Sequence, residues 1–475
     1  MSTPDNTYNG GPILPSLSAG KLSRRVKKAA TAALDTLQRT TTRWILQTHC
    51  KHCLINSFAH RCSTTQPNHR SPAAEHTTPG YDCGMIVRPR VRGFICTTAH
   101  PSGCAARVRH QIGRVSPLAD GPNKALIVGA SGGYGLASRI VAAFGAGADT
   151  LGVSFEKPPK ATKTATAGWY NNLAVENAAA ERGLYAKTLD GDAFSDKMKD
   201  QVIEEIRSSL GQIDLFVYSL ASPVRQHPRT GVVHRSAIKP LGESFHVKSL
   251  NKETGEVLEV ELAPASNAET EATIAVMGGE DWEFWIDALA GASVLAPGVK
   301  TVAYTYIGSK LTWPIYWQAT LGQAKEDLDR AASAIRNRLA GTNGQAHVAA
   351  LKAVVTQASA AIPVVPLYLA LLFKVMKEAG NHEDCLAHID RFFHSALYSS
   401  ARTEFDEVGR IRMDDWELSD PIQAEVNRRW PLVETANVAN LADLDGIRAD
   451  FLEIFGFGVD GVDYEADVDP TAARG

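Results

Sequence analysis

The stretch Ala125-Leu-Ile-Val-Gly-Ala-Ser-Gly-Gly-Tyr-Gly-Leu-Ala-Ser138 has the pattern of an apolar strand, a glycine-rich loop and the start of a helix. Its glycines at positions 129, 133 and 135 form G-x3-G-x-G. Such a loop lets backbone amides approach a pyrophosphate at a helix N-terminus, where the helix dipole favours anions. Glycines that only tighten a turn would look the same, so the position directly after a strand carries the interpretation. The stretch predicts the phosphate-binding loop of a dinucleotide site.

Downstream of this loop, apolar runs of strand length alternate with longer helical patterns, as a parallel doubly wound sheet requires. The predicted strands are residues 125–128, 150–155, 184–189, 214–219, 300–307 and 347–355. The predicted helices are residues 135–144, 169–182, 197–210, 281–289 and 319–339. We therefore predict an α/β fold: a Rossmann-like, short-chain-dehydrogenase-like parallel sheet in one NAD-binding domain over residues 85–475.

Two regions depart from the alternation. Residues 225–263 are rich in turns around Asn251-Lys-Glu-Thr-Gly255, which predicts a small β-hairpin insertion covering part of the active site. Past Gly380, the pattern predicts a helix over residues 385–398, a short strand over 409–413 and a last element over 441–455. These extra C-terminal elements are expected to pack around the sheet.

Composition limits the function classes. Of the 475 residues, 44% are hydrophobic and 21% charged, as in a globular protein with a large core. The net charge is −3, and residues 1–84 hold ten Lys/Arg against four acids, so the remainder is acidic at −9. An acidic body lacks the basic patch that nucleic-acid binding requires. No uncharged apolar window of ~18 residues exists, so no membrane span is predicted.

The first 84 residues are rich in Ser, Thr, Arg and His, and we expect a disordered N-terminal extension. Two readings stay open: a mitochondrial transit peptide, or a start codon assigned too far upstream of Met85. Seven sparse cysteines indicate reduced thiols, so a cytoplasmic protein is expected, with mitochondria as the alternative. Cys50-Lys-His-Cys53 suggests zinc, but a second Cys/His pair at finger spacing is absent, and no metal site is predicted.

Polar residues follow the predicted strands at the edge where ligands bind in open α/β folds. Glu156 lies 21 residues after Gly135, near the offset at which a carboxylate binds the adenosine ribose. A carboxylate there repels a 2′-phosphate, which favours NADH over NADPH, although Lys157, Lys160 and Lys163 weaken the inference. The turns Asp190-Gly-Asp-Ala193 and Ser219-Leu-Ala-Ser-Pro223 are further candidates, each equally compatible with an ordinary turn.

A hydride transfer that leaves a developing oxyanion is accelerated by a hydrogen-bond donor aimed at that oxygen, with a cation nearby. A tyrosine and a lysine suit these roles, and two pairs compete. Tyr306-Ile-Gly-Ser-Lys310 has the Y-x3-K spacing of short-chain dehydrogenases, which places both groups on one helix face. It stands at a strand end, however, and contains Gly308 with Pro314 soon after, so no helix is expected there.

The second pair, Tyr316 and Lys325, has the spacing Y-x8-K and runs into the predicted helix. Nine residues along a helix of ~3.6 residues per turn leave the two side chains about half a rotation apart. If the pair converges, Tyr316 must therefore precede the regular helix. The alternative of a core tyrosine and a surface lysine stays open on spacing alone.

Across residues 85–469 the chain resembles the trans-2-enoyl-CoA reductases and V-type enoyl-acyl-carrier-protein reductases. The matching blocks are Pro89-Arg-Val-Arg-Gly-Phe-Ile-Cys-Thr-Thr-Ala-His-Pro101, residues 129–138, Ala167-Gly-Trp-Tyr-Asn171, Gly191-Asp-Ala-Phe-Ser195, Tyr218-Ser-Leu-Ala-Ser-Pro223, Met277-Gly-Gly-Glu-Asp-Trp282, Val354-Val-Thr-Gln357 and Phe455-Gly-Phe-Gly-Val-Asp-Gly-Val-Asp-Tyr464. The resemblance implies a monomeric enzyme that reduces trans-2-enoyl thioesters, carried by CoA or acyl carrier protein, to saturated acyl thioesters with NADH. That reaction is the last step of the fatty-acid elongation cycle.

The resemblance also implies the site residues. The family's proton donor falls on Tyr316, its lysine on Lys325 and a second substrate-contacting tyrosine on Tyr306. Its cofactor contacts fall on Gly129, Ala130, Ser131, Gly132, Gly133, Tyr134, Phe155, Glu156, Asp192, Ala193, Leu220, Ala221, Lys325, Val354, Val355 and Thr356. The apolar residues 362–373 are a hypothesis for one wall of the acyl pocket, with ordinary core packing as the alternative.

The chain departs from the family at two places. Gly132 stands where a hydroxyl or amide side chain is usual, and Gln318-Ala319 replaces His-Gly before Thr320. These differences bear on cofactor affinity and loop geometry. Two other functions remain to be compared: a short-chain-type ketoacyl or carbonyl reductase using Tyr306 and Lys310, and a non-catalytic dinucleotide sensor.

Overall fold

The computed structural model describes residues 85–92, 95–160, 162–220, 222–251, 254–401 and 403–471. The disordered extension and the zinc motif considered for residues 1–84 therefore lie outside the described residues, as does Ala221. In the ranges given, no helix has the length and apolar character needed to cross a membrane.

The strands of these ranges are β1 (Val91–Arg92), β2 (Ile95–Cys96), β3 (Lys124–Val128), β4 (Asp149–Ser154), β5 (Ala186–Asp190), β6 (Ile213–Tyr218), β7 (Val224–Gln226), β8 (Val233–Arg235), β9 (Phe245–Leu250), β10 (Val257–Leu262), β11 (Leu295–Thr305), β12 (Gln345–Ala350) and β13 (Arg410–Arg412). The α-helices are α1 (Pro101–Ile112), α2 (Gly133–Ile140), α3 (Ala167–Glu181), α4 (Asp196–Glu205), α5 (Asn267–Met277), α6 (Glu280–Gly291), α7 (Thr320–Leu339), α8 (Val365–Glu378), α9 (Cys385–Phe392), α10 (Asp420–Arg429), α11 (Val438–Leu441) and α12 (Leu444–Glu453).

Seven parallel strands form the central sheet in the order β13-β12-β11-β6-β3-β4-β5. The chain proceeds outward from β3 through β4 to β5, then returns to the other side of β3 at β6 and continues through β11 to β13. The sheet is therefore doubly wound, and the predicted fold class is confirmed. The order reverses between β3 and β6, where the two carboxyl ends open a crevice of the kind in which open α/β sheets bind ligands.

Apolar side chains alternate between the two faces of the sheet, since successive strand residues point in opposite directions. On β3, Leu126 and Val128 pack into a cluster with Trp282 of α6, while Ala125 and Ile127 face a second cluster. The first cluster is covered by α4, α6 and α7, and the second by α2 and α9. Each large side chain buried in these layers contributes roughly 1.5–3 kcal/mol to folding.

Strand β12 is shorter than the sequence predicts, because the predicted strand 347–355 leaves the sheet after Ala350. The Leu351 amide still bonds to a neighbouring strand, donating to the Thr305 carbonyl at 3.0 Å. The two amides that follow it bond to side chains instead. The Lys352 amide donates to His388 Nε2 at 3.3 Å and the Ala353 amide to Glu417 Oε2 at 2.6 Å. Side chains from later in the chain thus terminate the strand.

The predicted insertion at 225–263 forms two antiparallel ribbons, β7 with β8 and β9 with β10. The turn of the larger ribbon closes with Gly255, at φ 75°, whose amide donates to the Asn251 carbonyl at 2.7 Å. The ribbon packs on α8. Just before it, the Lys239 carbonyl accepts from the Thr320 amide at 3.2 Å, so the insertion also holds the first residue of α7.

The C-terminal predictions are close to the observed elements. The predicted helix 385–398 appears as α9 followed by a π-helical turn, Phe393–Leu397, and the predicted strand 409–413 as β13. The predicted last element ends as α12. Helix α5 was missed, although Ser266 and Glu269 form a capping box at its start, a signal visible in the sequence.

Candidate active site

The glycine loop between β3 and α2 lies at the crevice. A Cβ on Gly129 would lie 1.9 Å from the Ser219 carbonyl oxygen, and one on Gly135 would lie 2.0 Å from the Gly129 carbonyl oxygen. These two glycines are therefore required by the close packing of β3, β6 and α2. Gly129 also has φ 90°, a left-handed conformation that glycine adopts without strain.

The two glycines at the start of α2 have a different environment. A Cβ on Gly132 would meet nothing within 4 Å, and one on Gly133 would meet the Thr356 methyl at 3.5 Å. Gly132 is the N-cap residue, and within the described ranges no side chain caps this helix. The first-turn amides therefore remain available to an anion.

Glu156 lies at the end of β4 beside the loop. Its Oε1 accepts from Ser131 Oγ at 2.7 Å, and a Cβ on Gly168 would lie 2.1 Å from the same oxygen. Burial raises the pKa of Glu156, while hydrogen bonds from Thr166 and Ser131 lower it. The predicted residue Ser131 thus holds the carboxylate in place, and the neighbouring Phe155 side chain is 78% exposed.

The turn after β5 is held by its own side chains. Asp192 Oδ1 accepts from the Phe194 amide at 3.0 Å, and the Ala193 carbonyl accepts from Trp285 Nε1 at 3.2 Å and Lys199 Nζ at 3.3 Å. Lys199 was not singled out in the sequence. It also pairs with buried Asp281 at 2.9 Å.

The same Asp281 ties this turn to the end of β6. Tyr218 Oη donates to Asp281 Oδ2 at 3.1 Å. Two residues further on, Leu220 Cδ2 would lie 3.6 Å from a Cβ on Gly129, so Leu220 lies against the glycine loop. The ends of β5 and β6 are therefore held by one buried ion pair.

The segment after β12 brings Val354, Val355 and Thr356 to the other side of the loop. Thr356 is fixed by Ser359, whose Oγ accepts from the Thr356 amide at 2.9 Å and whose amide donates to Thr356 Oγ1 at 3.0 Å. Val354 is buried and Val355 partly buried. Apart from Ala221, which the structure does not describe, the predicted cofactor residues outside α7 thus lie around the carboxyl end of the sheet.

The side chain of Tyr134 is bonded within the protein. Its Oη donates to the Lys352 carbonyl at 2.6 Å, and its ring lies 5.7 Å from that of His388. The hydroxyl is therefore committed to the protein. The Tyr134 amide, in the first turn of α2, is the group that remains available to a cofactor.

Tyr306 and Tyr316 lie together beyond the end of β11. Their rings meet edge to face, with centroids 4.9 Å apart, and both pack into an apolar cluster with Val247 of β9 and Phe373 of α8. Tyr306 Oη donates to Glu417 Oε1 at 2.9 Å. Burial raises the pKa of the Tyr316 phenol, which keeps it protonated.

Tyr316 precedes α7, the placement that its spacing from Lys325 requires. Its amide donates to the Thr312 carbonyl at 2.9 Å and its carbonyl accepts from the Gly322 amide at 2.9 Å. A Cβ on Gly322 would lie 1.6 Å from the Trp317 carbonyl oxygen. Gly322 therefore lets the tyrosine loop fold tightly onto the first turn of the helix.

Lys325 is partly buried in α7. Burial lowers its pKa to about 8, opposed by the charge of Asp329 one turn along. Asp329 is itself paired with Arg410 at 2.8 Å. Within the described ranges, Lys325 Nζ has no hydrogen-bond acceptor, which leaves its ammonium available to a ligand.

The Y-x3-K pair does not form the arrangement of a short-chain dehydrogenase. Strand β11 ends at Thr305, and Gly308 adopts φ 77°, so Tyr306 and Lys310 share no helix. Lys310 is exposed, whereas the Tyr306 hydroxyl donates to a buried carboxyl group. The structure thus provides no support for that pair as a catalytic unit.

The hypothetical acyl wall, residues 362–373, coincides largely with α8. Leu369, Leu372 and Phe373 are buried in the cluster that includes Tyr306 and Tyr316. Sequence reasoning missed the polar contact between Tyr368, a member of this cluster, and Glu417 behind it. Neither stands at a strand end or in a motif, so no local signal marks them.

Three family models match this sequence, and together they cover most of residues 86–468. They are described as the NAD(P)H binding domain of trans-2-enoyl-CoA reductase (residues 86–161), the trans-2-enoyl-CoA reductase catalytic region (163–398) and the enoyl reductase FAD binding domain (405–468).

Individual proteins match over the same region. The chain is 57% identical over 389 residues to an enoyl-[acyl-carrier-protein] reductase [NADH] of Edwardsiella ictaluri, covering 81% of this chain and 98% of that protein. Among solved structures, Treponema denticola trans-2-enoyl-CoA reductase in complex with NAD has a TM-score of 0.78 at 49% identity, covering 81% of this chain and 98% of that one. A Clostridium trans-2-enoyl-CoA reductase in complex with NADH has a TM-score of 0.80 at 43% identity, covering 82% and 99%.

The third family description mentions FAD, and residues 405–468 can be tested against it. Their one strand, β13, is followed by Met413-Asp-Asp-Trp-Glu-Leu-Ser419 before α10 begins. This connection contains no glycine, so it does not provide the strand, glycine loop and helix that cradle a dinucleotide pyrophosphate. We derive no flavin chemistry from it.

Proposed function

This chain belongs to the trans-2-enoyl-CoA reductase family, and from this premise we propose that Tyr316 is its proton donor and Lys325 its cofactor-positioning cation. The reaction is the NADH-dependent reduction of the C2=C3 double bond of trans-2-enoyl thioesters to saturated acyl thioesters, the last step of fatty-acid elongation. Bound NADH supplies the hydride for the thioester's Cβ. The protein must bind both molecules, stabilise the enolate and deliver a proton.

The cofactor would be held by the glycine loop and its surroundings. The uncapped amides at the start of α2 suit the pyrophosphate, and Glu156 suits the adenosine ribose hydroxyls. The exposed ring of Phe155 offers a flat apolar surface for adenine. The proposed set is completed by Asp192, Ala193, Leu220, Ala221 and Val354 to Thr356. The members that the structure describes lie at the carboxyl edge of the sheet, which is consistent with this proposal.

Tyr316 suits proton donation because its phenol is protonated and lies at the surface of an apolar cluster. Hydride addition at Cβ places negative charge on the thioester oxygen, and a nearby O–H donor stabilises that charge. The single observation that carries the assignment is the placement of Tyr316 before α7, beside Tyr306. Tyr306 would contact the substrate from the neighbouring position.

Lys325 would act on the cofactor and on Tyr316. Near neutral pH a lysine with a pKa of about 8 is mostly an ammonium. An ammonium without a protein acceptor suits the ribose hydroxyls of the cofactor, and a positive charge nearby favours proton release from a phenol. These two roles agree with its position in the helix that follows the tyrosine loop.

The test of this assignment is Tyr316→Phe. We expect kcat with crotonyl-CoA to fall at least a hundredfold, while the Kd for NADH, measured by its fluorescence, stays within twofold. Offering acetoacetyl-CoA to the unmodified enzyme tests the ketoacyl reductase alternative, and we expect no turnover. Full activity of Tyr316→Phe would contradict the assignment. Failure of the unmodified enzyme to reduce crotonyl-CoA would favour the dinucleotide sensor.

The relatives' names give two carriers, acyl carrier protein and CoA. We propose that the tyrosines contact the acyl thioester and the adjoining pantetheine arm that both carriers share, so that the same residues serve either substrate. Comparing kcat for one acyl group on the two carriers checks this. A Tyr316→Phe loss confined to one carrier would contradict it.

We also propose that the enzyme acts as a monomer in the cytosol, with mitochondria as the alternative if residues 1–84 act as a transit peptide. The free thiols Cys96 and Cys104 agree with a reducing compartment. Light scattering would give the oligomeric state. Mass spectrometry of the natural N-terminus, together with cell fractionation, would distinguish the two locations.

A further inference from the structure

The Glu417 carboxyl group lies behind the two tyrosines and is 0% exposed. It stands in the connection between β13 and α10, and its three partners come from elsewhere. Oε1 accepts from Tyr306 Oη at 2.9 Å and from Tyr368 Oη of α8 at 2.8 Å. Oε2 accepts from the Ala353 amide at 2.6 Å. One carboxyl group thus joins the end of β11, helix α8 and the segment after β12.

The surroundings of Glu417 are those of an ionised carboxylate. Burial raises the pKa of Glu417 above its usual value, and the Ala353 amide, the positive charge of Lys352 and the two phenols oppose that rise. Lys352 is 2% exposed, and its Nζ donates to the carbonyls of Ala353 at 3.2 Å and Glu383 at 3.0 Å. Both oxygens of Glu417 have hydrogen-bond donors, as a buried carboxylate requires.

The direction of the hydrogen bonds follows from the chemistry of each partner. An amide N–H only donates, so Glu417 Oε2 is an acceptor. At Tyr368, Gln423 Nε2 donates to the phenol oxygen at 3.2 Å, which leaves the Tyr368 proton for Glu417. An ionised carboxylate only accepts, so the Tyr306 proton is likewise held by Oε1. Tyr306 then offers its neighbours only the remaining lone pair of its oxygen.

We propose that Glu417 is a positioning residue that keeps Tyr306 a hydrogen-bond acceptor, so that Tyr316 is the only phenol of the pair able to protonate the substrate. The inference rests on the proposed roles of Tyr306 and Tyr316. It assigns Tyr306 the role of hydrogen-bond acceptor toward the substrate. A thioester carbonyl cannot donate to it, whereas the amide N–H groups of the pantetheine arm can.

Glu417→Gln tests the direction of the hydrogen bond between Tyr306 and residue 417, because the new amide can bond to its neighbours in only one orientation. The Ala353 N–H must keep an acceptor, so the new amide oxygen faces Ala353 and the NH2 group faces both phenols. Tyr306 then accepts from Gln and its own proton is freed. We expect kcat with crotonyl-CoA to fall about tenfold, with the Kd for NADH unchanged.

The decisive measurement combines Glu417→Gln with Tyr316→Phe in one double variant and with Tyr306→Phe in another. In Tyr316→Phe, the freed Tyr306 proton partly replaces the missing donor, so Glu417→Gln should raise the residual kcat at least threefold. In Tyr306→Phe, the change should alter kcat less than threefold. A loss of equal size in all three backgrounds, which a merely structural role would produce, overturns the proposal.

Tyr368→Phe is the matched control, because it removes the other phenol and leaves the bond between Tyr306 and Glu417. Tyr368→Phe should lower kcat less than Tyr306→Phe does. If Glu417→Gln does not fold, this comparison still decides, because equal losses in the two Phe variants contradict the proposal. Full activity in Tyr316→Phe would instead contradict the proton-donor assignment on which it rests.

Discussion

The proposed active site has two halves that are held in place by different means. In the cofactor half, formed by the glycine loop and the turns after β4, β5 and β6, close backbone packing sets the geometry, as at Gly129 and Gly135. In the tyrosine half, formed by Tyr306, Tyr316 and Lys325, buried side chains from distant segments do so, with Glu417 among them. The first half therefore tolerates little added volume, and the second depends on hydrogen-bond polarity.

The largest expected effect is that of Gly129→Ala in the cofactor half. The added Cβ would lie 1.9 Å from the Ser219 carbonyl, and φ 90° is strained for any L-residue. Left-handed strain of about 1–2 kcal/mol adds to overpacking of about 1–3 kcal/mol, a large part of a typical folding stability of roughly 5–15 kcal/mol. We expect a large drop in Tm and no detectable NADH binding.

Gly132→Ser is the matched control for this change, because a Cβ there meets nothing within 4 Å. Its Tm should be unchanged, and its Kd for NADH should change less than threefold. Equal destabilisation by the two substitutions would show that backbone packing does not distinguish these glycines.

An effect of similar size on stability is expected for Lys199→Met, which removes the buried cation beneath the same half. Asp281 would be left buried with Tyr218 as its remaining hydrogen-bond partner, and breaking a buried ion pair costs about 3–5 kcal/mol. Burial raises the pKa of Asp281, and Lys199 opposes that rise. Without Lys199, Asp281 in the folded protein therefore takes up a proton more readily as the pH falls. The loss of stability in urea unfolding should therefore be larger at pH 8 than at pH 5.

The control for Lys199 is Lys187→Met, which removes an ion pair with Glu205 whose lysine is 47% exposed. Surface pairs contribute only ~0–1 kcal/mol, so little change is expected. A pH-independent effect in Lys199→Met would contradict the view that the buried Asp281 charge causes the loss.

In the tyrosine half, the charge of Lys325 should be visible in the pH dependence. Because its pKa is lowered to about 8, the ammonium is present below that pH and is lost above it. We expect kcat/KM to decline as the pH rises through about 8, and Lys325→Arg, which stays charged, to move the decline upward. Lys310→Met, at an exposed lysine, should leave the profile unchanged. An identical decline in Lys325→Arg would rule out this lysine as its origin.

The smallest effect is expected for Phe155→Ala. The ring is 78% exposed, so its removal should leave the Tm unchanged, while the lost apolar surface raises the Kd for NADH severalfold. Isothermal titration measures both the affinity and any change in stoichiometry. An unchanged Kd would show that adenine does not use this surface.

The two halves also differ in how far the sequence predicts them. The cofactor half follows from local patterns: strand, glycine loop and helix at 125–138, and a carboxylate after the next strand. Its predicted elements were confirmed within a few residues. The departures have physical causes, since the amides after Ala350 find side-chain acceptors that no local pattern contains.

The tyrosine half was accessible to sequence reasoning only in part. The spacing of Tyr316 and Lys325 showed that the tyrosine must precede the helix, but the family resemblance supplied the pair itself. The contacts of Glu417 could not be found, because this residue lies 111 positions from Tyr306 and 49 positions from Tyr368 in the chain. Contacts of that range depend on the tertiary fold.

The strand ending at Ala350 has a consequence for the order of assembly. The segment that follows it is held by His388 and Glu417, so its hydrogen bonds cannot form until those residues have left the ribosome. The glycine loop needs only the chain up to β6 for its closest packing. During synthesis, the closest contacts of the glycine loop can therefore form before the segment after β12, which carries the proposed cofactor residues Val354 to Thr356, is held in place.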